Sequence, residues 1–158
     1  MTVIEQQILE TWRLHNRITL FMLENIPAEA MTATLSKRGG RDIARQLAHM
    51  YNVRVYRLKP FSKKSGAPLA EFGKSESPSK EKLAEALQLS GTVMEQYLAH
   101  CIENGGVVSN FKQGVVPMLG YYITHEAHHR GSILLTMKQC GFRLPGELKW
   151  GIWEWKKR

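Results

Sequence analysis

Apolar residues recur every three or four positions in four long segments of this chain, and nowhere do they alternate with period two over a sustained stretch. That periodicity predicts amphipathic helices and leaves no candidate for a half-buried sheet. In the first segment, from about Thr2 to Asn25, the residues Ile4, Ile8, Trp12, His15, Thr19 and Met22 fall on one face, and Pro27 ends it. The second opens near Asp42, a residue suited to capping a helix N-terminus, and carries Ile43, Leu47, Met50 and Arg54 on one line. Pro60 is expected to stop it, because proline lacks the N–H that continues the ladder. The third is expected to start at "SPSKEKL", with Ser77 as cap and Pro78 in the first helical position. Leu83, Leu87, Met94, Leu98 and Ile102 mark its buried face, and "ENGG" at 103–106 ends it. The fourth covers roughly Val115 to Cys140, with Gly141 as its stop and Lys138 beside the negative end of the helix dipole.

Four such segments predict an all-α chain, a four-helix bundle formed by residues 1–158 as one domain. A chain of 158 residues can bury a core without staples, so Cys101 and Cys140 are read as small apolar residues. The segment 60–77, "PFSKKSGAPLAEFGKSES", is long for a bundle loop and implies a crossover connection or a flap over a site. The aromatic C-terminal tail, "WGIWEW" at 150–155, is expected to pack against the bundle or a partner subunit.

Composition narrows the partners. No apolar run approaches the roughly 18 residues that span a bilayer, so no membrane partner is expected. The first residues lack the basic-then-apolar pattern of a signal peptide, which makes the cytoplasm the expected compartment. The net charge is +8, with basic clusters at 36–45, 57–64 and 156–158. None of these clusters forms a known nucleic-acid module, so a solvated basic surface is expected in place of a nucleic-acid partner.

The chemistry concentrates in "YYITHEAHHRG" at 121–131. His125 and His129, four apart on a helix, point the same way and can chelate one divalent ion. His128 is also a near neighbour of His125, so spacing alone does not choose the pair. The letters His125-Glu126-x-x-His129 match the zinc-protease motif, in which the glutamate is a general base and a third ligand follows downstream. No histidine follows His129 here, and Glu126 lies about 100° round the helix from His125. The protease reading therefore fails, and a third ligand must come from upstream. His15, His49 and His100 are the candidates; His49 and His15 sit nearest apolar faces, and spacing does not separate them. Glu126 and His128 are expected to support the site or face solvent. Arg130 is expected to bind an anionic group or pair with a carboxylate. Tyr51, Tyr121 and Tyr122 are expected to pack.

"LAHMYNVRVYRL" (47–58), "YYITHEAHHRGSILLTMKQCG" (121–141) and "LPGELKWGIWEW" (144–155), in this order and spacing, resemble the DinB-like family. That resemblance implies a four-helix bundle holding a divalent ion through three histidines, at positions His49, His125 and His129. Arg130 and Gly131 match the "RG" that follows the last ligand. The resemblance further implies a metalloenzyme, either a hydrolase or a transferase joining a low-molecular-weight thiol to a small electrophile, and a homodimer. A non-catalytic, stress-related metal-binding protein and a basic nucleic-acid-binding helical domain are the alternatives. Three protein ligands leave a position open for water or substrate, which is the pattern of a catalytic site. Zinc and nickel both accept imidazole nitrogen, so the ligand set does not choose between them.

Overall fold

A computed structural model describes all residues, 1–158. It contains five α-helices and two short 3-10 turns and no strand. The helices are α1 (Val3–Glu24), α2 (Ile43–Lys64), α3 (Lys80–Glu103), α4 (Val115–Gln139) and the short α5 (Gly146–Gly151). No helix is long and apolar enough to cross a membrane. Thr2 caps α1 through a reciprocal pair of bonds with Glu5, and Asp42 caps α2 by accepting from the Arg45 N–H at 2.7 Å. Gly141, at φ 84°, ends α4 in the left-handed conformation that glycine adopts without a Cβ penalty.

Two helix ends differ from expectation. α2 runs through Pro60 to Lys64. Proline removes one ladder bond, but the extra turn is held by packing: Phe61 packs edge-on against Tyr97 and at a tilt against His100 of α3, and Ser62 is buried. α3 is capped by Ser79, whose side chain accepts from Lys82, rather than by Ser77. Pro78 is buried in the preceding extended segment, and the Ser77 hydroxyl instead donates to the Asp42 carboxylate at 3.2 Å.

The contacts define the topology. Trp12 bonds the Gly91 carbonyl and Lys80 bonds those of Glu24 and Ile26, so α1 and α3 are antiparallel. Arg54 meets Leu87 while Phe61 meets Tyr97, so α2 and α3 are parallel. His15 meets Glu126 and Thr19 meets Arg130, so α1 and α4 are parallel too. Parallel neighbours that follow one another in sequence need a connection that travels back along the bundle. Residues 65–79 are that connection, a crossover strap lying along α2. Tyr51 donates to the Ala70 carbonyl, Asn52 bonds both the N–H and the carbonyl of Phe72 at 2.9 Å, and Arg45 reaches the Lys74 carbonyl.

The predicted apolar lines are the buried ones for α2 and α3, and for α1 from Trp12 onward; Ile4 is exposed. The three tail tryptophans do not pack into the bundle: Trp150, Trp153 and Trp155 are 63%, 72% and 53% exposed. Leu148 and Gly151 fill the tail's contact with the bundle instead, Gly151 lying against Phe21 so closely that a Cβ would collide with that ring. Both cysteines are free thiols, Cys101 buried and Cys140 half-buried.

Candidate metal centre

α2 and α4 present a row of half-buried side chains at the edge of their packed faces. His49 lies on α2 between the buried Ala48 and Met50, beside the line formed by Leu47, Met50 and Arg54. His125 and His129 occupy the equivalent edge of α4, next to the buried stripe of Tyr122, Glu126 and Ile133. Because α2 and α4 are adjacent, the His49 ring sits against both others, with centroids 5.3 Å from His125 and 4.9 Å from His129. The His125 and His129 rings are 4.7 Å apart, as i,i+4 spacing requires. One nitrogen of each residue lies within 4.8 Å of the others.

The protonation state of the rings suits metal ligands. Burial is the main cause that pushes all three imidazoles below the usual histidine range, with further pressure from neighbouring imidazoles and from Arg41, opposed at His125 by Glu126. His129 falls to about 4. The rings are therefore neutral at pH 7, with lone pairs available for a metal. The Nδ1 atoms of His125 and His129 are buried without a hydrogen-bond partner, which is how nitrogens stand when no protein donor uses them. Residues that spacing could not discard are now separated. His15 is in the core at 2.9 Å from Glu126, His100 is exposed at the far end of α3, and His128 is exposed. Tyr121 stacks on His125 with a 13° angle between the rings, while Tyr51 and Tyr122 are buried.

A family model for the DinB family matches residues 1–147. The chain belongs to the DinB family. Among curated proteins none shows significant similarity to it. The DinB match takes in all four long helices and the three histidines, and ends before the tail tryptophans.

Of the two expectations for Glu126, support of the site and exposure to solvent, the structure excludes the second. Glu126 neither faces solvent nor touches the histidine cluster; it is fully buried in the centre of the DinB bundle. Arg54 grips its two oxygens at 2.6 and 2.7 Å. Those bonds, with the His15 contact, hold its carboxyl far below the usual carboxylate range against the opposing effect of burial. The rest of the Arg54 guanidinium bonds Asn16, Ser90 and the Leu87 carbonyl, and Trp12 covers its face at 4.8 Å. Burial holds His15 neutral, so its Nε2–H donates to Glu126, and Arg130 lies 3.4 Å from both ring nitrogens. Arg130 also donates to the Thr19 hydroxyl at 2.9 Å. Side chains of α1 and α2 thus meet the Glu126 carboxylate of α4, and Arg54 ties it to α3. Glu126 and Arg130 directly follow His125 and His129, so this network fixes the rotation of α4 that aims both rings at His49. A glutamate held this way cannot act as a general base at the histidines.

Proposed function

We propose that this DinB-family protein is a divalent-metal-dependent enzyme acting on small molecules, with His49, His125 and His129 as the metal's ligands. The observation that carries the reading is the convergence of three neutral, half-buried imidazoles from two helices at one point beside an open cleft. A divalent ion there would supply a Lewis acid that lowers the pKa of a bound water or thiol. The histidines themselves contribute no negative charge, so they would leave the ion's full charge to act on whatever it binds. Three ligands leave room for a substrate atom. Family membership supports a hydrolase or a low-molecular-weight-thiol transferase as the reaction class, and zinc or nickel as the ion.

Elemental analysis of the wild type and of His49→Ala, His125→Ala and His129→Ala tests the ligand set. One ion per chain in the wild type and its loss in each variant is the expected result. Unchanged metal content in all three variants overturns the assignment. A screen of small electrophiles with several thiols then reads turnover, which His49→Ala is expected to lack.

A further inference from the structure

A cleft of about 520 Å³ opens beside His49, walled by α2, by the glycine turn ahead of it and by the strap. Arg41, Arg45 and His49 follow one another at four-residue spacing and all line it, so two guanidinium groups lead to the candidate metal centre. Neither guanidinium is neutralised. Arg41 enters no ion pair, and Arg45 donates only to the Lys74 carbonyl at 3.3 Å. The Arg45 Nε atom is buried without any partner. Two carboxylates also line the cleft, and both are engaged elsewhere: Glu71 pairs with Lys59 at 3.0 Å, and Glu76 accepts from the Gly73 N–H at 2.9 Å. Guanidinium groups that line a cleft without an anionic partner leave donors for an anionic acceptor from outside the chain.

We propose that Arg41 and Arg45 bind a carboxylate group of the substrate, with the substrate's reactive end directed to His49. The planar guanidinium fork matches a carboxylate. Glu71 and Glu76 on the same walls disfavour two negative charges on one group, as in a phosphate dianion, relative to the single charge of a carboxylate group. The placement of the reactive end rests on the metal-site reading; the carboxylate site does not.

The test has two arms. In metal-free, isotope-labelled protein, glutarate is expected to shift the Arg45 Nε–H resonance saturably, while neutral glutaramide leaves it unmoved. In cobalt-loaded protein, thiolate absorption bands report the binding of 3-mercaptopropionate and of its neutral counterpart 3-mercaptopropanol. The carboxylate is expected to confer about tenfold or greater preference, as hydrogen bonds to charged groups do. Arg41→Ala and Arg45→Ala should each remove most of that preference and leave 3-mercaptopropanol affinity unchanged. Equal affinities of the two thiols in the wild type, with no glutarate shift, overturn the proposal while leaving the metal reading intact. A glutarate shift in a protein that binds no cobalt supports the carboxylate site and overturns the metal reading. Inorganic phosphate shifting the Arg45 resonance at lower concentration than glutarate overturns the choice of a carboxylate.

Discussion

Glu126 and His49 show how position in the bundle separates residues of similar chemical promise. The Glu126 carboxylate is the ion-pair partner of Arg54, whose guanidinium is fully buried with no exit to solvent. Removing one member of a buried pair leaves the other charge uncompensated and costs about 3–5 kcal/mol. Glu126→Gln is therefore expected to lower the unfolding free energy by that order, read as a fall in the urea midpoint. His49 is half-buried, and its replacement removes no such partner. His49→Ala should keep near wild-type stability in metal-free protein. A Glu126→Gln protein as stable as the wild type would show that Arg54 is satisfied without the carboxylate.

At the scale of elements, the strap is the part that the helices do not hold by themselves. Its long-range anchors to α2 are few: the Asn52 amide bonded twice to Phe72, the Tyr51 hydroxyl on Ala70, the Arg45 and Lys59 contacts, and the buried Leu69. Asn52→Ala leaves the Phe72 N–H and carbonyl without those partners, at a cost of about 1–3 kcal/mol. That cost falls on local opening of the strap rather than on the bundle. Limited proteolysis should cut the variant within residues 65–79 several-fold faster, with helical circular dichroism unchanged. Equal cleavage rates would mean that Leu69 and the Ser77–Asp42 contact suffice to hold it.

At the scale of the whole molecule, acid acts on several groups in one direction. His15, His49, His125 and His129 all have folded pKa values pushed below the usual histidine value, chiefly by burial. Between about pH 6.5 and those lower values the unfolded chain takes up protons that the folded chain does not, so folding weakens as pH falls. Glu126 adds to this at lower pH: its depressed pKa contributes stability present above about pH 4.3 and lost as pH falls further. Metal-free protein should keep a constant denaturation midpoint from pH 8 to 7 and lose it steadily below about 6.5. A midpoint that rises between pH 7 and 5 would contradict the burial of these rings. The exposed Trp150, Trp153 and Trp155 support a homodimer, which we propose for the intact protein. Light scattering should give twice the 18.1 kDa chain mass at micromolar concentration, and Trp153→Glu should shift it toward the monomer.

Local information carried the sequence reading far. Periodicity alone places the four helices, the buried lines of α2 and α3 and most of that of α1, and the i,i+4 pair His125 and His129, because one helix turn determines which side chains share a face. The length of the segment after α2 implied a crossover or a flap over a site, since it exceeds what adjacent antiparallel helices need. What periodicity could not supply was the identity of a residue's neighbour across the bundle. His49 and His15 look alike along their helices; only the adjacency of α2 to α4 sets one beside His125 and His129 and the other beside Glu126. Pro60 shows the same division, since its local preference to stop a helix yields to the packing of Phe61 on α3. Glu126 shows it most plainly. Its neighbours in sequence are histidines, and its partners in space are Arg54, 72 residues away, and His15, 111 residues away. Burial of a charge is settled by the groups that surround it, and those are assembled only when the helices pack.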